Sequence, residues 1–236
     1  LRRMNLLRVG DLSITGQPIP ESAPSVEILD LLVEQSDWAN LQREATEFNA
    51  ANRWKKRGVG MALSMYGCCL HAGGQHMEGS GALVQVRSDG SVEINIGGTE
   101  LGQGAFTIMA QIAAETLGSD YARVKVLPSD TRMVPDSGPT VASRTTIMSG
   151  NATRGASLQL RARLVALAAN MLGCQGHEVV VTPGKYSGNG RELDFAALCS
   201  EAFRRKLNLF ASGWYAPPPK DWDIQTGQGT AYVVYS

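Results

Sequence analysis

Two stretches of this 236-residue chain carry groups that can meet a ligand. The first is Gly97-Gly98-Thr99-Glu100-Leu101-Gly102-Gln103-Gly104. Its glycines permit close backbone approach, Gln103 both donates and accepts, and a helix starting just after it would aim N–H groups at an anionic oxygen. It is neither a GxGxxG fingerprint nor a GxxxxGK[ST] phosphate loop, so a purely structural turn competes with a ligand site. The second stretch runs from Pro135 through Ser137, Gly138, Pro139, Thr140, Val141, Ala142, Ser143, Arg144 and Thr145 to Thr146. Its hydroxyls can bond phosphate oxygens and Arg144 can neutralise an anion. The alternative is a turn tied down by its own hydroxyls, with Arg144 exposed.

Other polar residues read more plainly. Cys68, Cys69, Cys174 and Cys199 form no CxxC framework and suit reduced thiols. His71 and His76, five apart, do not make a metal site, although both can face a cleft. Asp130 and Asp136 suit turn capping rather than acid–base work. The 22 basic and 22 acidic side chains balance, which argues against a general polyanion binder such as a nucleic-acid protein. No apolar run approaches the roughly 18 residues that a membrane helix needs.

The elements that must position the two stretches follow from periodicity. Ser25 is expected to cap a helix holding Ile28, Leu29 and Leu32, and Asp37 another holding Trp38, Leu41, Ala45 and Phe48. Lys55-Lys56-Arg57 is either an anion contact or a solvated edge. Gly58–Tyr66 reads as a strand opening the main domain. Residues 82–96 alternate as a hairpin around Ser88-Asp89-Gly90-Ser91. A helix with Ala105, Ile108, Met109, Ile112 and Thr116 on its buried side should end at Gly118. Tyr121–Leu127 reads as a strand. After a connector over Pro128–Thr146, with Ser149 or Thr146 as cap, a long helix is expected over about Asn151–Met171. Short strands near Val179–Val181 and Glu192–Phe195 precede a last helix at Leu198–Arg205. Residues 1–56 thus read as a helical connecting or docking arm, and 57–236 as one domain whose strands and helices suit an α+β fold, a mixed sheet flanked by helices.

The glycine stretch, the following Gln111-Ile112-Ala113-Ala114-Glu115 and Thr140-Val141-Ala142-Ser143-Arg144-Thr145-Thr146 together resemble the molybdenum-binding subunit of the xanthine dehydrogenase and aldehyde oxidase family. Asn5-Leu6-Leu7-Arg8, Gly213-Trp214-Tyr215 and Thr226-Gly227-Gln228-Gly229 are similar to the same region. The resemblance implies a partial molybdopterin-binding domain of the molybdenum hydroxylase type. It implies molybdopterin, or molybdopterin cytosine dinucleotide, carrying molybdenum on its dithiolene sulfurs, so that no side chain ligates the metal directly. Gln103 would approach the metal's ligand sphere or the pterin, with Gly102 and Gly104 keeping its backbone close. Thr140, Val141, Ala142, Ser143 and Thr145 would contact the cofactor, and Arg144 would support phosphate or loop geometry.

The implied reaction is oxidative hydroxylation of a purine, N-heterocycle or aldehyde, with water as oxygen source. Electrons would leave through 2Fe-2S clusters and FAD on partner chains. The general base expected of the family falls beyond this segment, and neither Glu78 nor Glu100 occupies its position. A companion molybdenum-subunit chain, an iron–sulfur subunit and an FAD subunit are therefore expected in the cytoplasm, with the isolated chain inactive. The alternative is a noncatalytic structural or assembly component of such a complex.

Overall fold

Apolar residues at helical spacing near the N-terminus fold as two helices, α1 (Ser25–Gln35) and α2 (Trp38–Ala51). The expected caps are corrected. Ser25 is the first helical residue, Pro24 precedes it, and among the described residues no side chain caps the helix. Asp37 stands at the N-cap of α2 in a left-handed conformation (φ 47°), yet its carboxylate makes no cap bond. The basic cluster serves the other end of α2. Lys56 Nζ donates to the carbonyls of Asn49 (2.6 Å) and Asn52 (2.8 Å), and Arg57 lies over the Phe48 ring. Cations there offset the negative pole of the helix.

The expected strand over Gly58–Tyr66 is also corrected, because only β1 (Met65–Cys68) is extended and paired. Gly58 and Gly60 have open space around them and no side chain with which to hold a cross-strand neighbour.

The alternation over residues 80–96 builds β2 (Ser80–Val86) and β3 (Val92–Ile96), with Ala82 opposite Ile96 and Val86 opposite Val92. Gly90 turns the chain at φ 81°, and the Asp89 carboxylate accepts from both the N–H and the hydroxyl of Ser91. Next come α3 (Ala105–Leu117), stopped at Gly118 as expected, and β4 (Val124–Val126). The long helix α4 spans Thr145–Leu172 and so begins about one and a half turns before the position expected from sequence. Thr146 and Ser149 lie inside it rather than capping it. A meander, β5 (Val180–Thr182), β6 (Lys185–Gly188) and β7 (Arg191–Asp194), leads into α5 (Phe195–Arg204). Asp194 caps α5 by accepting from the Ala196 and Ala197 N–H groups at 2.9 and 3.1 Å. Strand β8 (Phe210–Tyr215), unanticipated as a strand, pairs with β2. The last elements are β9 (Trp222–Asp223), β10 (Gln228–Gly229) and β11 (Tyr232–Tyr235), the last antiparallel to β1.

The computed structural model describes residues 1–19, 23–70, 72–219, 221–230 and 232–235. Contacts divide it into two units, Leu1–Gly73 with Lys220–Ser236, and Gly74–Pro219. Residues 58–73 thus group with the N-terminal helices. In the second unit the strand order is β4-β3-β2-β8, with β3 parallel to β4 and the other pairs antiparallel. This is a mixed sheet flanked by helices, an α+β fold as expected. Among the described residues, no helix is long and apolar enough to cross a membrane.

The core of the second unit forms where α4 meets the sheet and α3. Ala152, Ala156, Leu160 and Leu164 of α4, Met109 and Leu117 of α3, and Val84, Ile94 and Ile96 of the sheet are all fully buried. Small residues let α4 approach β8 closely. A Cβ on Gly213 would stand 2.0 Å from the Ala152 carbonyl oxygen and 2.8 Å from the Ala156 nitrogen. Gly213→Ala is therefore expected to cost about 3 kcal/mol by overpacking, read as a lower denaturant midpoint. An unchanged midpoint would rule out this packing. Burial also pushes the Cys199 thiol up to about 12, so it stays protonated at neutral pH. Ellman's reagent should label it about a thousandfold more slowly than an ordinary thiol until the chain unfolds; rapid native labelling would show that α5 does not bury it.

Candidate functional site

The two stretches singled out in the sequence come together in the second unit. Thr99 N–H donates to Thr140 Oγ1 at 2.8 Å, and Gly97 N–H donates to Ser137 Oγ at 3.2 Å. Ser129 Oγ donates to the Gly98 carbonyl at 2.9 Å. Glycine is required at the crossing. A Cβ on Gly97 would stand 2.6 Å from the Pro135 carbonyl oxygen, and one on Gly98 would stand 2.8 Å from Thr145 Cγ2. The close-approach glycines are therefore 97 and 98. Gly102 and Gly104 have open space at the Cβ position and are needed instead for positive φ, 103° and 81°.

Between the stretches lies an open cleft of about 340 Å³. Leu101, Gln103, Ala105 and Ile108 line one side, and Thr140, Val141, Ala142, Ser143, Thr145 and Thr146 the other. Of the expected site residues, Gln103, Thr140, Val141, Ala142, Ser143 and Thr145 thus line one cleft, while Gly102, Gly104 and Arg144 do not. Leu101, Ala105, Ile108 and Thr146 line it beyond that expectation. Ala105 and Ile108 were legible only as a shared helix face. Ala142 and Ser143 are consecutive left-handed residues (φ 51° and 55°), a path that small side chains tolerate better than large ones.

The two helix ends at the cleft differ. At the start of α3 the Phe106 N–H, and those of Gly102 and Gly104 in the loop before it, are engaged within the chain. Glu100 Oε1 accepts from Gly102 N–H (2.7 Å) and Gly104 N–H (3.0 Å), and Oε2 accepts from Phe106 N–H (3.1 Å). The Phe106 and Gly104 N–H groups, then that of Gly102, hold the Glu100 carboxyl below the usual carboxylate range. Those three N–H groups are therefore not free to meet a ligand, which narrows the expectation for the start of α3. Helix α4 has no side-chain cap, and Thr145 and Thr146 of its first turn line the cleft. Its positive pole can meet an anionic oxygen. Gln103 is folded onto its own loop, with Oε1 accepting from Leu101 N–H (2.6 Å) and Nε2 donating to the Thr99 carbonyl (2.9 Å).

Arg144 is neither exposed nor among the residues that line the cleft, which leaves support of loop geometry among the roles considered for it. It is buried, 2% exposed. Nη1 donates to the carbonyls of Ser137 (2.6 Å) and Pro139 (2.8 Å), and Nη2 to those of Met77 (2.9 Å) and Gly79 (3.1 Å). A permanent cation is solvated there by backbone dipoles, with Nε buried and unpartnered. Its work is to tie the turn before Thr140 to the segment entering β2. The room is made by Gly138, where a Cβ would stand 3.3 Å from Nη1.

The remaining acid–base residues lie elsewhere. His76, Glu78 and Asp136 line a separate cavity of about 600 Å³ with Trp214, and Glu78 is buried. His71 falls outside the described residues. Asp130 pairs with Arg132 (2.6 Å), whose guanidinium holds its carboxyl below the usual range. Among the described residues, no group of His, Cys, Asp and Glu can hold a metal ion.

Residues 31–236 match the family model described as molybdopterin cofactor-binding domain. Xanthine dehydrogenase 2 of Arabidopsis thaliana is 34% identical over 201 residues, 85% of this chain and 13% of the relative. A nicotinate hydroxylase of Emericella nidulans is 30% identical over 218 residues, 92% of this chain and 15% of the relative. The quinoline 2-oxidoreductase structure from Pseudomonas putida 86 has a TM-score of 0.72 at 20% identity, covering 98% of this chain and 33% of that chain. The chain thus spans a small fraction of the relatives it matches. The chain belongs to the molybdopterin cofactor-binding domain family.

Proposed function

We infer that this chain is the cofactor-gripping section of a molybdenum-dependent hydroxylase of the xanthine dehydrogenase and aldehyde oxidase type. The observation that carries this reading is the single cleft lined by Gln103 on one side and by Thr140, Val141, Ala142, Ser143 and Thr145 on the other. Its chemistry suits a pterin or its dinucleotide form. The hydroxyls of Ser143, Thr145 and Thr146 and the uncapped pole of α4 offer donors to anionic and carbonyl oxygens. Ala142 keeps the wall low, and Ala105 with Ile108 supplies an apolar side against a heterocycle. Gln103 can unfold its amide toward the ligand by exchanging two bonds made within its own loop. Gly102 and Gly104 through their backbone, and Arg144 through its guanidinium, shape the two loops.

When bound, the cofactor supplies two-electron redox chemistry at a molybdenum atom held by dithiolene sulfurs. This chain's residues hold and orient it. None of the cleft's lining residues is a carboxylate, and the Glu100 carboxylate is engaged by N–H donors, which makes it a weak base. The general base is assigned to a companion molybdenum-subunit chain or segment. 2Fe-2S clusters and FAD on further partners would carry electrons away, in a cytoplasmic complex. The substrate class is a purine, N-heterocycle or aldehyde, consistent with the names of the xanthine dehydrogenase and nicotinate hydroxylase relatives.

The whole protein or assembly, purified and analysed for molybdenum and pterin, tests this reading. It should hold stoichiometric cofactor and oxidise one of these substrate classes, while the 236-residue chain alone retains little cofactor and turns nothing over. Ala142→Leu should lower cofactor content about tenfold by crowding the cleft. A stable assembly that never contains cofactor would favour a structural or assembly role instead.

A further inference from the structure

We propose that Glu100 is a positioning residue that pre-forms the Thr99–Phe106 loop for the cofactor, acting as a built-in anion at the start of α3. This inference rests on the cofactor reading above. The loop needs such an anchor. Gly102 and Gly104 both take positive φ (103° and 81°), and neither has an atom within 4 Å of a would-be Cβ, so packing does not hold them. Their N–H groups converge with that of Phe106 on the two oxygens of one carboxylate. Glycine backbone loses the most entropy on ordering, and charge-assisted bonds are the strong kind that can offset it.

Gln103 is placed by the same anchor, since it sits between the two glycines whose N–H groups Glu100 holds. Its amide bridges Leu101 N–H and the Thr99 carbonyl, and Thr99 N–H reaches Thr140 on the opposite wall. The carboxylate therefore fixes the loop, the loop fixes Gln103, and Thr99 sets the loop's distance from the other wall. Chemistry explains why a glutamate is needed. Gln offers one acceptor oxygen and would turn an NH₂ group toward N–H donors, whereas a carboxylate accepts on both sides. Asp is one methylene shorter and cannot span the same reach.

The test uses the whole protein with its remaining segments and partners, as wild type, Glu100→Gln, Glu100→Ala and Glu100→Asp. Molybdenum and pterin per chain are measured beside amide-exchange protection at Gly102, Gly104 and Phe106 and the melting of the cofactor-free form. Losing the charged acceptor should cut cofactor content about tenfold in the Gln and Ala variants. Protection at the three amides should fall with it, Asp should be intermediate, and the cofactor-free melt should be unchanged. If cofactor content or amide protection stays at the wild-type level, the proposal is overturned. It is also overturned if the cofactor-free melt collapses, because Glu100 would then be serving general stability. Wild-type protein that never carries molybdenum would sink the cofactor reading itself, a result separate from the exchange data on the loop.

Discussion

The candidate site depends on one close approach, the passage of the Gly97–Gly98 backbone against Pro135–Ser137 and the first turn of α4. Side chains at 97 and 98 would overlap the Pro135 carbonyl and Thr145, so two stretches some forty residues apart can meet only because these positions carry no Cβ. Hydrogen bonds from Gly97 to Ser137 and from Thr99 to Thr140 then fix the register of the meeting. The glycines at 102 and 104 solve a different problem. They let the backbone curl so that its N–H groups face Glu100.

Support for this crossing is unequal on its two sides. The first loop grows from β3, whose alternate residues Val92, Ile94 and Ile96 are fully buried. The second turn has no strand beneath it. It is held instead by the Arg144 guanidinium, which gathers carbonyls from Met77, Gly79, Ser137 and Pro139. Burying a cation without a carboxylate partner is costly unless its donors are satisfied. Four carbonyl contacts meet that need at Nη1 and Nη2, and they convert a flexible turn into a fixed wall. Of the roles the sequence allowed Arg144, an anion contact, an exposed side chain or support of loop geometry, its buried carbonyl contacts fit the last.

Periodicity made the sheet hairpin, α3 and its Gly118 stop legible, because each has one strongly apolar face or one obligate turn residue. The start of α4 was not legible, for a physical reason. Thr145, Thr146, Ile147, Ser149 and Gly150 have modest helix propensity, and their helical state is imposed by tertiary packing, with Thr145, Met148, Ser149 and Gly150 all buried. Strand β8 was missed because Gly213 interrupts its pattern where α4 presses closest. The converse failure was residues 58–64, an apolar run that pairs with no strand among the described residues. In the candidate site, residue types brought together six residues that line one cleft. Side-chain direction, as at Arg144 and Gln103, was beyond what sequence pattern can specify.

The contrast between the two helix ends follows from how each loop is built. An N-terminus left with unsatisfied N–H groups attracts negative charge. At α3 the chain supplies a negative charge itself, because the Glu100 carboxylate accepts from Phe106 N–H and from Gly102 and Gly104 in the loop before it. At α4 no side chain takes that place, and Thr145 and Thr146 leave its first turn on the cleft wall. One wall is therefore shaped from within and the other keeps its polarity for a guest. Under the proposed function, that asymmetry would give shape to the Gln103 side and charge recognition to the Thr145 side, although both begin with a loop feeding into a helix.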